Sequence, residues 1–370
     1  MVIAASLQFG RVMRNPRRKP SKQQTPNSTL DNSSRMQMPD VSSYLILAVA
    51  CYCMYKVACY YPVFWGKKPA LGKRGKVEAI AHRGSREEGL PENSVAAFKD
   101  AVNAGADIVE LDVWLSADGK VVVHHDQTFR RMTAGVDLRR VVDLRHDQMP
   151  SLAALPRQAH RVALFGARDC EAVPLLDEAL LAVPSPTCLI IEFKQNSDEL
   201  VAKVLELLRQ HNRTQDVYWF SLDEKINKKL RAAEPSIPTI TSIPAMLRTL
   251  ILYHIGVLPF TTIDDAVFGI TVDEITLQQI RSEPSLAGLP DLAHQILAFL
   301  FRGKPPSAMV APALFAHLRR RGIPVWFLGV NETSDLQLAV SAGATGVLTD
   351  RIAWLKACMA ERKMQFSKIE

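Results

Sequence analysis

The sequence predicts an α/β chain: a (β/α)8 TIM barrel with one long insertion, preceded by a single apolar N-terminal helix. Three observations predict it. From residue 77 onward, short strand-like apolar runs alternate with helix-patterned stretches. Several of those runs end in an acid or a histidine, which is where α/β barrels keep their chemistry. The span from residue 77 to about residue 362 is also long enough for the roughly 250 residues of one barrel plus an insertion.

Eight runs read as barrel strands, at 77–81, 106–112, 188–192, 216–221, 238–242, 266–272, 323–330 and 346–349. Helical spacing lies between them, for instance over 94–104 and over 198–209, the latter with Leu200, Val201, Val204, Leu205, Leu207 and Leu208. Residues 121–125 read as a hairpin return across Asp118-Gly119, not as a barrel strand. Residues 127–173 are too long for an ordinary connection and are expected to be an excursion that is either a substrate-binding cap or disordered.

The candidate chemistry clusters between His82 and Asp126. Glu110 and Asp112 are two apart on a strand, so they share a face while Leu111 points the other way. Carboxylates placed side by side repel each other unless a cation lies between them, and oxygen ligands suit a hard ion such as Mg²⁺ or Ca²⁺. Glu192 and Lys194 share a face in the same way, adding a third carboxylate and a cation for an anionic substrate. His82 and His125, at two different strand ends, complete an acid/base pair.

Together the motifs carry a resemblance. His82-Arg83-Gly84, Pro91-Glu92-Asn93-Ser94, Glu110-Leu111-Asp112, Asp118-Gly119, His125-Asp126, Ile191-Glu192-Phe193-Lys194 and Leu348-Thr349-Asp350 occur in an order that resembles the glycerophosphodiester phosphodiesterase (GDPD) family. The resemblance runs from about residue 77 to about residue 355, and each motif alone would be weak. It implies metal-assisted hydrolysis of a phosphodiester. Glu110, Asp112 and Glu192 hold the ion, Arg83 and Lys194 offset charge on the phosphoryl group, and His82 and His125 serve as general base and general acid, each aided by a neighbour that fixes its tautomer. The insertion then becomes a substrate cap. Two departures stand out. A tryptophan is usual three residues before the late asparagine, Asn331; here that slot is Leu328, with Trp326 two residues earlier on the same strand face, so both are candidate substrate-wall residues. The proline that often follows Thr-Asp is Arg351.

The N-terminal part differs in kind. Residues 1–43 hold seven basic residues and two acids among Asn, Ser, Gln and Pro, the composition of a disordered tail. Residues 44–65 are apolar apart from Lys56, end in Tyr60, Tyr61, Phe64 and Trp65, and are followed by basic residues; the expectation is one membrane-spanning anchor. Of 45 Lys and Arg, 13 lie before residue 77, with only 2 of 38 acids. The barrel is thus slightly acidic, which excludes nucleic acid as a partner and assigns the positive charge to the membrane flanks. By the positive-inside rule the barrel is expected on the cytosolic side of an endomembrane. Six cysteines, three of them in the apolar run, indicate no disulfide framework. Nothing points to a protein partner.

The expected substrate is therefore a glycerophosphodiester, foremost a lysophospholipid cleaved on its alcohol side; the alternative is a membrane-anchored barrel that binds such lipids without turnover. Bland readings are kept for three residues: His124, facing opposite to His125, is structural, and Glu92 and Asn93 form a helix start with Asn93 as its cap. An apolar stretch at 243–260 is expected beside the membrane, with Leu250, Ile251 and Leu252 lining access for an acyl chain, against the alternative of an ordinary barrel helix. Residues 291–301 are expected beside it.

Overall fold

In the computed structural model, residues 41–60, 77–152, 164–271 and 310–361 are described. Eight strands form one sheet: β1 (Glu78–Ala81), β2 (Ile108–Leu115), β3 (Val121–Val123), β4 (Cys188–Phe193), β5 (Val217–Phe220), β6 (Phe268–Thr271), β7 (Val325–Leu328) and β8 (Gly346–Thr349). Seven run parallel in the order β5-β4-β2-β1-β8-β7-β6, and β3 pairs antiparallel with β2 as the expected hairpin return. The stretch 238–242 makes only single parallel bridges, Thr239 to Trp219 and Ile240 to Val267. Those bridges supply the missing eighth position between β5 and β6, so the ring closes as a parallel α/β barrel.

Alternation along each strand sorts the core into two layers. Ile80, Ile108, Ile190, Tyr218, Ile240, Val267, Trp326 and Leu348 fill the barrel interior. Val109, Leu111, Val113, Leu189, Ile191 and Phe193 point outward into the larger layer shared with the helices. The helix Asp198–Gln210 shows how the sequence builds that layer. Ser197 caps it by accepting from Leu200 N, and Leu200, Val201, Val204, Leu205 and Leu208 bury one stripe. The inward face therefore carries Ile108, Glu110 and Asp112 on β2, and Ile190 and Glu192 on β4. The register Asp112↔Glu192 sets those two acids side by side at one end of the barrel.

The insertion has a small core of its own, where Phe129, Val141, Leu144 and Leu152 pack on Trp114, Val122 and Val173. That packing makes residues 127–152 an ordered layer attached to the β2–β3 hairpin.

Three expectations need revision. The helix expected over 44–65 spans Val41–Tyr60, and residues 61–65 lie outside the described residues. Among the described residues no helix is long and apolar enough to cross a membrane. Leu45, Ile46, Leu47, Val49, Met54 and Val57 are exposed along Val41–Tyr60. The stretch at 243–260 forms a barrel helix, Ile243–His254, capped by Ser242. Leu250 is fully buried in the outer core and Leu252 packs against it; Ile251 alone of the three is exposed. Leu250 is thus a core residue because its helical position faces the sheet. Residues 291–301 lie outside the described residues. Finally, the helix Val95–Asn103 is capped by Ser94, whose Oγ accepts from Ala97 N, and Glu92 and Asn93 do other work.

Candidate active site

The ends of β1, β2, β4 and β8 converge on one polar cluster. Glu110, Asp112 and Glu192 each turn a carboxylate oxygen to within 4.8 Å of the others, and all three are buried. Lys194 lies just past β4, with Nζ 2.6 Å from Glu192 Oε1 and 3.0 Å from Asp112 Oδ1. Arg83, in the turn after β1, donates its backbone N–H to Glu110 Oε2 at 2.8 Å and sets Nε 3.5 Å from Asp112 Oδ2. Asn93 has left the helix cap for this cluster, donating Nδ2 to Asp112 Oδ2 at 2.7 Å. The turn is tightly built. Arg83 and Asn93 both adopt left-handed φ, 57° and 59°, and a Cβ on Gly84 would meet the Ala97 backbone at 2.7 Å.

The charges do not balance by themselves. Burial, then Asp112, pushes the Glu110 carboxyl well above the ordinary range, and burial pushes Glu192 up to about 7. Burial opposes ionisation of Asp112 too, but Lys194, His125, Arg83 and Asn93 outweigh it and hold this acid low. Asp112 Oδ1 is buried without a hydrogen bond, Lys194 approaching it as an ion pair only. Crowded carboxylates, two of them reluctant to ionise, and a lone pair left over are what a hard cation with oxygen ligands would relieve, so the donor set fits Mg²⁺ or Ca²⁺.

The two histidines flank this cluster, and each is fixed by an aspartate. His82 Nδ1 lies 2.8 Å from Asp350 Oδ1, and His125 Nδ1 lies 2.6 Å from Asp126 Oδ1. An ionised carboxylate only accepts, so in each ring the hydrogen sits on Nδ1 and Nε2 is left as the basic nitrogen. Burial, helped by Arg83, lowers the pKa of His82; burial, helped by Lys194, lowers that of His125 to about 4. Both rings are therefore neutral at neutral pH. His124 is buried instead, its Nε2 3.3 Å from the Thr128 carbonyl and its ring 4.6 Å from Phe129.

The structure thus brings together His82, Arg83, Glu110, Asp112, His125, Glu192 and Lys194. Trp326 is not among them: it is fully buried in the barrel interior, edge-on to Tyr218 at 4.9 Å. It cannot form a substrate wall, whereas Leu328, at the end of β7, is half-buried. Residue-by-residue reading missed Asp126 and Asp350 as partners of the histidines, together with Asn331, which donates Nδ2 to Asp350 Oδ2 at 2.9 Å. Their motifs were visible but their contacts were not. Arg86 and Arg131, which bind these aspartates, carry no sequence signal at all.

A parallel barrel that gathers three buried carboxylates, a buried arginine, a half-buried lysine and two aspartate-held histidines at its strand ends has the donor set of a cation-assisted phosphoester hydrolase. Residues 82–354 match the glycerophosphoryl diester phosphodiesterase family, and the chain belongs to it. It is 34% identical to human lysophospholipase D GDPD1 over 278 residues, which cover 73% of this chain and 82% of that one. The glycerophosphoryl diester phosphodiesterase domain of a Mycobacterium tuberculosis protein shares the fold with a TM-score of 0.56 at 18% identity, covering 76% of this chain and 99% of that one. An Oleispira antarctica phosphodiesterase, in complex with the product sn-glycerol-3-phosphate, does so with a TM-score of 0.52 at 22% identity, covering 76% and 96%. The chain is accordingly an enzyme of the phosphoric diester hydrolase class.

Proposed function

We propose that the enzyme hydrolyses lysophospholipids on the alcohol side of the phosphodiester, releasing the headgroup alcohol and leaving lysophosphatidic acid. The observation that carries the chemistry is the juxtaposition of the Glu110, Asp112 and Glu192 oxygens with two histidines whose Nε2 atoms are unprotonated and basic. Bound there, Mg²⁺ or Ca²⁺ would supply charge neutralisation at a non-bridging phosphate oxygen. Arg83 and Lys194 add positive charge beside it and hold the diester in place. One histidine takes at Nε2 a proton of the attacking group, which is water or a neighbouring hydroxyl of the substrate whose cyclic phosphate water then opens. The other must first take up a proton from solvent at Nε2, its aspartate stabilising the imidazolium, and then gives that proton to the alkoxide of the headgroup as the phosphorus–oxygen bond breaks. Asp126 and Asp350 keep both rings in the tautomer this exchange requires.

Two features support a lipid substrate over a water-soluble diester: the similarity to enzymes named lysophospholipase D, and the helix Val41–Tyr60, along which Leu45, Ile46, Leu47, Val49, Met54 and Val57 are exposed. We propose that this helix associates with a membrane, with the barrel on the cytosolic side, as the basic flanks favour. The test is headgroup release from lysophosphatidylcholine against glycerophosphocholine, with the enzyme stripped by EDTA and then supplied with Mg²⁺ or Ca²⁺. Turnover is expected to vanish on stripping, to return with one of the two ions, and to favour the lysolipid. Undiminished turnover in metal-free enzyme would sink the cation site, and preference for glycerophosphocholine would sink the lipid assignment.

A further inference from the structure

Glu92 is the junction of the polar network, although nothing in the hydrolytic scheme uses it. Its side chain is 4% exposed, and three arginines converge on it. Arg83 Nη1 donates to Oε1 at 2.9 Å. Arg131, from the insertion, forks onto it, Nη2 to Oε1 at 2.5 Å and Nη1 to Oε2 at 2.9 Å. Arg86 Nη2 stands 3.4 Å from Oε2. Two of these arginines continue to the aspartates behind the histidines: Arg131 Nε donates to Asp126 Oδ2 at 2.7 Å, and Arg86 Nη1 to Asp350 Oδ1 at 2.8 Å. The path therefore runs without a break from His125 through Asp126, Arg131, Glu92, Arg86 and Asp350 to His82.

We propose that Glu92 is a positioning residue that fixes both histidine–aspartate pairs at once, with Arg131 as the arm by which the insertion takes part in ordering the acid/base machinery. The inference rests on the assignment of His82 and His125 to proton transfer. The physical basis is geometric. Each aspartate accepts from its histidine and from an arginine, and an arginine fork holds a carboxylate in one plane only if its own remaining N–H groups are anchored. Glu92 is that anchor for Arg131 through two hydrogen bonds, and for Arg86 through an ion pair at 3.4 Å. It sits between the two left-handed residues Arg83 and Asn93, whose backbones join through Asn93 N donating to the Arg83 carbonyl at 2.9 Å, so the loop that carries it is over-determined. A carboxylate needed only to neutralise charge would not have to lie on the one path that meets both aspartates.

The experiment compares Glu92→Gln and Arg131→Lys with Asp126→Asn and Asp350→Asn in the full-length, metal-loaded enzyme, reading kcat and KM separately, melting temperature, and the ring ¹⁵N resonances of the histidines. Glu92→Gln is expected to lower kcat by about 10–100-fold with KM nearly unchanged, the scale of losing a group that orients a site residue. It should shift the ring nitrogens of both His82 and His125 away from the Nδ1-protonated pattern. Combined with either aspartate variant it should cost much less than the product of the single effects, as members of one unit do. Arg131→Lys keeps the charge and loses the fork, is half-exposed, and provides the reading if Glu92→Gln fails to fold; it should disturb His125 more than His82. Multiplicative effects with unmoved histidine resonances would overturn the proposal while leaving the histidine assignment intact. If Asp126→Asn and Asp350→Asn also left kcat unchanged, the assignment itself would fall, and the proposal with it.

Discussion

The two histidine–aspartate pairs do the same work and are built by different means. His82 takes its aspartate from 268 positions away, because β1 and β8 pair in the register Ala81↔Thr349 and thereby set His82 beside Asp350. Asn331 then holds Asp350 from the end of β7, accepting from its backbone N–H at 2.8 Å as well as donating to its side chain. His125 takes the adjacent residue, Asp126, and that carboxylate is held by Arg131 from the insertion. One pair is thus a product of closing the barrel, the other of a hairpin and the layer attached to it. The electrostatics differ as well. His82 has Asp350 to favour its charged form against Arg83 and Arg86, whereas His125 has both Asp112 and Asp126 against Lys194 and Arg83. The lesson is that equivalent chemistry here depends on unequal support.

The largest effect is expected from removing the rings. His82→Ala and His125→Ala should each lower kcat by about 10²–10⁴-fold, the usual worth of acid/base assistance, while His124→Ala should cost far less. A tolerant His125 would break the comparison outright. Next come the aspartates. Asp350→Asn should cost more in kcat than Asp126→Asn, within a range of about 10–100-fold, since it leaves the His82 imidazolium facing two arginines with no acid beside it. Equal losses in steady-state kinetics would erase the asymmetry.

How far the sequence anticipated this follows the same division. Glu110, Asp112, Glu192 and Lys194 were legible because strand alternation fixes which residues share a face, and the parallel register β2–β4 only had to bring two such faces together. The hairpin at 121–123 and its His125 were legible for the same local reason. Asp350 as the partner of His82 was not, since no local pattern states that the last strand lies beside the first. Arg131 was less legible still: its place depends on how Phe129 and Val141 pack the insertion. Asn93 and Leu250 misled in opposite directions. A cap-type residue before a helical run was drawn into the carboxylate cluster, and an apolar run assigned to the membrane turned its Leu250 into the core. In both, tertiary contact overrode a sound local preference.

The smallest effect concerns stability, and it separates Glu192 from His125 by sign. Glu192 is raised to about 7 in the folded enzyme, above the ordinary 4.5 of an unfolded chain. Between those values the native state holds the extra proton, so this contribution to stability falls as pH rises from about 4.5 to about 7. His125 is lowered to about 4 from 6.5, so across that window the unfolded state binds the extra proton and stability rises with pH. A divalent cation competes with the Glu192 proton and not with the histidine Nε2. The rise in melting temperature produced by Mg²⁺ or Ca²⁺ should therefore be small near pH 5 and grow through pH 7, with Glu110, raised in the same direction, adding to the trend. Calorimetry at a series of pH values, with and without the ion, measures this directly. Glu192→Gln should weaken the pH dependence of that rise, Glu110, whose carboxyl burial also raises, supplying the remainder, and His125→Ala should leave it in place. The opposite result, a metal effect that follows His125 and ignores Glu192, would move the cation from the carboxylates to the hairpin side of the mouth.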